Sequence, residues 1–90
     1  MLALNLSKDA IKFLAKLPQK HARQVVEKIQ NLRLHPFPQD SKTLKGYLYY
    51  RADSGENRII YEVIKTSLDI LIIGKRNDDA VYKKLKNKKG

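Results

Sequence analysis

Three runs between Tyr47 and Ile73 constrain the fold more than any other feature of the chain. Tyr47 to Ala52, Asn57 to Ile64 and Ser67 to Ile73 are rich in aromatic and β-branched residues, and the gaps between them are only long enough for turns. Strands joined so closely pair antiparallel, so the spacing predicts a meander. With Asp53-Ser54-Gly55-Glu56 as the first turn and Gly55 taking the positive φ, Ala52 opposes Asn57 and Arg51 opposes Arg58. Leu48, Tyr50, Ala52, Ile59, Tyr61 and Val63 then share one side, and Tyr49, Arg51, Arg58 and Glu62 the other. A two-residue turn at Lys65-Thr66 adds Leu68, Ile70 and Ile72 to the apolar side. It also sets Glu62 opposite Asp69, a like-charge penalty.

An apolar sheet face needs a cover, and the first half of the chain supplies one. Alternation in Leu2-Ala3-Leu4-Asn5-Leu6 predicts a short first strand, and Ser7, three residues before Ala10, is placed as a helix N-cap. From Asp9 to Leu17 the apolar residues Ala10, Phe13, Leu14 and Leu17 fall at helical spacing, and Pro18 breaks the run. A second helix follows from about Gln19 to Leu34. It has an apolar face of Ala22, Val25, Val26, Ile29 and Leu32, with Lys20, Arg23, Lys28 and Arg33 largely elsewhere. The prolines in His35-Pro36-Phe37-Pro38-Gln39-Asp40 force a loop. After the meander, Asn77-Asp78-Asp79 caps a last helix, Asp78 to Leu85, with Lys83, Lys84 and Lys86 at its C-terminal end. The order β-α-α-β-β-β-α reads as one small α+β domain: an antiparallel sheet, a helical hairpin on one face, and a short C-terminal helix. The domain is expected over residues 1–86, with 87–90 a frayed basic tail.

Charge narrows the function. The 90 residues carry 19 Lys and Arg against 9 Asp and Glu, a formal +10, which favours a polyanionic partner. At 42% hydrophobic the chain is not the low-hydrophobicity type that stays disordered. With no cysteine there is no disulfide, thiol nucleophile or Cys-based zinc site, and two histidines make a poor metal cage, so neither metal nor small-molecule cofactor is expected. The first residues lack a basic n-region, and no segment approaches the length of a membrane span. The expected location is therefore the cytoplasm, with no membrane partner.

Arg51 directly opposite Arg58 costs stability unless an anion bridges them or both side chains splay into water. The exit of the third strand, Gly74-Lys75-Arg76, returns beside Arg58, so four cations converge at one end of the sheet. Strict alternation puts Lys75 rather than Arg76 on the Arg58 face, and an end-of-strand twist is needed to bring Arg76 in. Tyr47, Tyr49 and Tyr82 stand near this cluster, as rings that stack on bases or as packing residues of the sheet and last helix. His21 and His35 lie in the helical hairpin, in structural or solvated roles. The C-terminal lysines either complement the helix dipole or reach phosphate.

Leu44-Lys45-Gly46, the strand Arg58-Ile59-Ile60-Tyr61-Glu62-Val63, and Gly74-Lys75-Arg76 followed by Val81-Tyr82 together resemble the RelE toxins of bacterial and archaeal toxin-antitoxin systems. The resemblance spans nearly the whole chain. It implies a metal-independent endoribonuclease that cuts messenger RNA in the ribosomal A site by attack of a 2′-hydroxyl on the adjacent phosphate. By motif it implies that Arg58 stabilises the charged transition state, that Arg76 serves the leaving group and scissile phosphate, and that Tyr82 orients a base and assists proton transfer. Arg51 occupies one of two upstream positions that are often lysine in the family. The other is Tyr49, a departure that leaves the general base unassigned. Tyr49, Lys45, Lys75 and Lys83 join Arg51 as expected RNA contacts. The resemblance also implies a cognate acidic antitoxin covering Arg51, Arg58, Lys75 and Arg76 and displacing the last helix, which has only Ala80, Val81 and Leu85 as aliphatic anchors. Three alternatives stay open: a ParE-like toxin that binds DNA gyrase, a catalytically inactive RNA- or protein-binding relative, and an RNA-binding domain unrelated to toxins.

Overall fold

A computed structural model describes residues 1–44, 48–77 and 80–87. Strands β1 (Ala3–Leu6), β2 (Lys42–Thr43), β3 (Tyr50–Ser54), β4 (Asn57–Ile64) and β5 (Ser67–Lys75) form one five-stranded sheet in the order β1-β5-β4-β3-β2. Helices α1 (Lys8–Lys16) and α2 (Gln19–Leu34) make the hairpin, and α3 (Ala80–Asn87) closes the chain. The α+β meander expected from the sequence is present, with two additions. β1 lies parallel to β5, which makes the sheet mixed, and the two-residue β2 extends it beyond β3. The expected cap at Asp78-Asp79, the tail beyond Asn87, and Lys45, Gly46 and Tyr47 lie outside the described residues. Asn87 itself closes α3.

Both sheet faces are buried, by different elements. Against one face, α1 and α2 pack Ala10, Val25, Ile29 and Leu32 onto Ala52, Ile59, Tyr61, Leu68, Ile70 and Ile73. Val25, Ile29 and Leu32 follow helical spacing, and Val26, expected in that stripe, falls beside it and is exposed. Against the other face, α3 sets Val81 and Leu85 onto Leu44, Ile60 and Ile72. Leu48 was expected to point inward. It is 91% exposed because β3 begins only at Tyr50, so the alternation does not reach it.

The first hairpin turns two residues later than the sequence suggests. Ser54 pairs with Asn57 around Gly55-Glu56, so Asp53 opposes Arg58 and Arg51 opposes Ile60. Gly55 takes a φ of +57°, as a tight two-residue hairpin turn that begins with glycine requires. A slip of two preserves parity, which is why the assignment of side chains on β3 and β4 to faces survives the change of partner. In the second hairpin Ile64 pairs with Ser67 around Lys65-Thr66, and Glu62 does oppose Asp69. Burial and Asp69 push the Glu62 carboxyl above its ordinary value. The Asn5 amide and the Ser67 hydroxyl donate to Asp69 at 3.0 and 2.7 Å and offset its charge.

Beyond that pair the register breaks. Tyr61 pairs with Ile70 but Ile60 pairs with Ile72, leaving Leu71 as an extra residue in β5. One extra residue reverses the faces of everything after it. Ile72, expected on the hairpin side, lies instead under α3, and Ile73 takes the hairpin side. Gly74 opposes Arg58 and Lys75 opposes Asn57. The bulge is tied to α1 through Ser7. Its hydroxyl accepts from the Ala10 amide at 3.0 Å as the N-cap and donates to the Leu71 carbonyl at 2.6 Å, while its own amide donates to the Ile70 carbonyl at 3.0 Å.

Ser7→Ala is expected to cost about 1–3 kcal/mol in urea unfolding, because it removes both a helix cap and a donor to the Leu71 carbonyl at the bulge. Ser7→Thr should restore most of that loss. Ser7→Asp can cap the helix but cannot donate to Leu71, so it should recover only part; full recovery by Asp would mean that the Leu71 bond contributes nothing.

Candidate functional site: an arginine cleft on the α3 face

The face of β3, β4 and β5 that meets α3 carries the cations. Lys42 and Arg51 oppose each other on β2 and β3, Asp53 and Arg58 on β3 and β4, and Gly74 faces Arg58 from β5. After the bulge, alternation sends Arg76 to this face, so no end-of-strand twist is needed. Lys75 turns to the hairpin side, where it lines a shallow depression of about 180 Å³ with Leu17, Pro18, His21, Glu56 and Asn57. The expected convergence of four cations thus loses Lys75. Lys42 extends the basic face beyond Arg51, a position the sequence reading passed over because nothing marks Lys42-Thr43 as a strand.

Arg51 does not oppose Arg58: it faces Ile60, and Asp53 takes the place across from Arg58. Arg58 Nε donates to Asp53 Oδ1 at 2.8 Å and Nη2 donates to Oδ2 at 3.2 Å, a bidentate pair. Arg76 Nη1 lies 3.7 Å from Oδ2 of the same carboxylate. The Arg58 side chain is 14% exposed and that of Arg76 is 53% exposed, so the first is set into the sheet and the second projects from the rim. The Arg58 hydrogen bond, with the charges of Arg58, Arg76 and Arg51, holds the Asp53 carboxyl below its ordinary value against the opposing effect of burial. Arg58 is correspondingly raised, chiefly by Asp53 and further by Tyr82. Both are therefore charged at neutral pH. Sequence reading missed Asp53 because it was assigned to the turn.

Tyr82 reaches this pair from α3. Its hydroxyl accepts from Arg58 Nη1 at 2.8 Å, and its ring packs at the edge of the Leu44, Ile60, Ile72, Val81 and Leu85 cluster with Tyr49. The helix comes close enough because Gly74 has no side chain: a Cβ there would stand 2.6 Å from Val81 Cγ1. Lys84 adds a tether to α1, with Nζ 3.4 Å from Asp9 Oδ2 and 5.4 Å from the centre of the Phe13 ring. Lys83 is exposed on the same helix. Lys45 lies outside the described residues. His21 and His35 stand away from the cleft, and Tyr50 and Tyr61 are packing residues. Their rings lie 5.8 Å apart, Phe37 is 4.8 Å from Tyr50, and the Tyr61 hydroxyl donates to the Pro36 carbonyl at 2.6 Å.

Chemically the cleft is an oxyanion site. Two guanidinium groups face one carboxylate, with a phenol hydroxyl accepting from the inner guanidinium, and the guanidinium donors suit the equatorial oxygens of a phosphate. Among the described residues no group of three or more His, Cys, Asp or Glu side chains is placed to hold a metal ion, and no helix is long and apolar enough to cross a membrane.

No protein-family model and no curated protein matches the chain. Solved structures do. The archaeal RelE–RelB complex from Pyrococcus horikoshii OT3 contains a chain 30% identical, with 84% of this chain and 96% of that one covered and a TM-score of 0.75. The RelBE2 toxin-antitoxin complex from Mycobacterium tuberculosis matches at 25% identity, 83% and 98% coverage and a TM-score of 0.74. A mutant of the E. coli toxin RelE in the free state, at 22% identity, covers 98% of both chains with a TM-score of 0.79 and shares the fold.

Gly74→Ala is expected to destabilise the protein by about 1–3 kcal/mol through overpacking against Val81. Gly74→Ala with Val81→Ala should cost less than the two single changes summed, because the smaller residue vacates the space the new methyl needs. Strict additivity in urea unfolding would show that α3 does not press on Gly74.

Proposed function

The chain belongs to the RelE toxin family, and from that membership we propose that it is an endoribonuclease that cuts messenger RNA in the ribosomal A site, in the cytoplasm. The observation that carries this reading is the convergence of Arg58 and Arg76 on one oxyanion, with the Tyr82 hydroxyl bonded to Arg58. In the proposed reaction the 2′-hydroxyl oxygen attacks the adjacent phosphorus and the bond to the 5′ oxygen breaks. The products are a 2′,3′-cyclic phosphate and a 5′-hydroxyl. One proton leaves the attacking hydroxyl and one is delivered to the leaving oxygen. The intermediate phosphorane gathers negative charge, and arginines already in place lower its energy, with single oxyanion contacts worth about 3–4 kcal/mol. Arg58 serves the non-bridging oxygens and Arg76 the scissile phosphate and leaving group.

Proton transfer asks for other groups. Arginine keeps its proton far above neutral pH, Arg58 all the more so beside Asp53, and the Asp53 carboxyl is held below its ordinary value, so both are poor exchangers near neutrality. Tyr82, Tyr49 or a group of the ribosome takes that part. Dependence on the ribosome suits a cleft that contributes charge and leaves the alignment of RNA to its surroundings. Arg51, with Lys42 opposite it, continues the basic face away from the cleft for flanking phosphates, and Lys83 adds to it from α3.

The Pyrococcus relative was solved in a RelE–RelB complex and the Mycobacterium relative in a toxin-antitoxin complex. We extend this to the present chain. A cognate antitoxin with an acidic segment would cover Arg51, Arg58 and Arg76 and displace α3, whose Val81 and Leu85 are its buried aliphatic anchors. Lys75 faces the other side of the sheet and drops out of that surface.

Arg58→Ala and Arg76→Ala should each lower cleavage by about 10²-fold or more, measured by primer extension on the message in a translation extract. Arg58→Ala also strips Asp53 of its two hydrogen bonds and leaves it only the looser Arg76 contact, so circular dichroism must accompany it. Arg76→Lys should lose much of the rate, since a point charge does not replace the planar fork. Equal cleavage by wild type and both alanine variants would remove the cleft from the mechanism.

Tyr82→Phe distinguishes a ring that positions a base from a hydroxyl that moves a proton. A change under about tenfold is expected. A fall of about 10²–10⁴-fold at unchanged RNA binding would instead assign the hydroxyl to proton transfer.

A further inference from the structure

Arg58 has five N–H groups, and three of them are engaged: Nε and Nη2 with Asp53, Nη1 with Tyr82. Two remain for an incoming oxygen. The two arginines that Asp53 bridges are held very unequally. Arg58 is gripped by both carboxylate oxygens and set into the sheet, whereas Arg76 touches one oxygen at 3.7 Å, beyond hydrogen-bond reach, from a half-exposed side chain. We propose that Asp53 is a positioning residue: it fixes Arg58 as a stationary cation and keeps Arg76 as an exchangeable one, which an RNA phosphate takes over from the carboxylate. This rests on the nuclease reading of the same cleft.

Neighbouring charges support the assignment. Without an anion, Arg58 and Arg76 would repel across the sheet end, with Arg51 close by on the same face. Asp53 removes that repulsion before substrate arrives, so the donors are in place when phosphate enters, the condition under which fixed dipoles and charges accelerate a reaction. The carboxyl lies below its ordinary value through its bond to Arg58, so its contribution is geometric rather than basic. The cost is one negative charge beside the phosphate. Asp53 therefore weakens the binding of RNA while it improves the alignment of Arg58, and the two effects oppose each other in kinetics.

The test uses Asp53→Asn, which keeps the shape and removes the charge. In cleavage of message by the translating ribosome, kcat should fall at least about tenfold while KM for the message stays level or falls. A variant that merely loosened the fold would not bind RNA more tightly. A raised KM, or an unchanged kcat, overturns the proposal. A second readout is independent of catalysis. In wild-type protein the Arg58 Nε–H resonance should exchange with solvent at least about tenfold more slowly than that of Arg76, and titration with inorganic phosphate should move the Arg76 Nε–H resonance well beyond that of Arg58, whose Nε stays on Asp53. In Asp53→Asn both should move. Equal exchange, or equal phosphate-induced shifts in the wild type, overturns the proposal. If the wild type does not cleave RNA, the nuclease reading fails, and the resonance experiment still decides the role of Asp53.

Discussion

The extra residue at Leu71, held by the Ser7 hydroxyl, governs which side chains of β5 reach the arginine cleft. A β-strand assigns side chains to faces by parity alone, so an odd residue in β5 reverses the faces from Ile72 to the end of the strand. Without it Arg76 would lie with the helical hairpin and Lys75 would stand beside Arg58. With it, Ile72 moves under α3, Gly74 comes opposite Arg58, and Arg76 reaches the cleft. The residue that caps α1 is also the residue that bonds the bulged carbonyl, so the start of the helical hairpin and the geometry of the cleft depend on one hydroxyl.

From that reversal follows the way α3 is held. Gly74 exposes bare backbone opposite Arg58, Val81 settles on it, and Tyr82, the next residue, is delivered to Arg58. The helix buries only a small apolar surface, and its tether to α1 through Lys84 and Asp9 is a partly exposed ion pair, of a kind worth little. α3 is thus placed accurately by shape, with modest energy behind it, as suits an element proposed to yield to an antitoxin. The cleft beneath it is stabilised differently. A chain with a net charge of +10 gathers cations at the sheet end, and Asp53 makes their proximity tolerable.

Much of this was legible in the residues, and the misses have identifiable causes. Helix limits followed from apolar spacing, from Ser7 and from Pro18. The apolar faces of β3 and β4 followed from alternation, which tolerated the wrong turn length because the error was two residues and not one. Asp53 was lost to that same error, since placing it in the turn removed it from the ladder where it meets Arg58. Leu71 sits in Ile70-Leu71-Ile72-Ile73, a run apolar at every position, and such a run carries no alternation from which a bulge could be detected. The reversal of Ile72 and Arg76 was therefore invisible. Arg58, Arg76 and Tyr82 were identified through the resemblance to the RelE toxins, and their meeting point emerged only from the pairing of strands.

The register of β4 against β5 is the most direct measure of this account. In a nuclear Overhauser spectrum of the labelled protein, cross-strand backbone contacts should join Tyr61 to Ile70, Ile60 to Ile72 and Arg58 to Gly74, with Leu71 matched to no residue of β4. Contacts joining Ile60 to Leu71, Ile59 to Ile72 and Arg58 to Ile73 would mean a regular ladder, with Arg76 turned away from Arg58, and would contradict it.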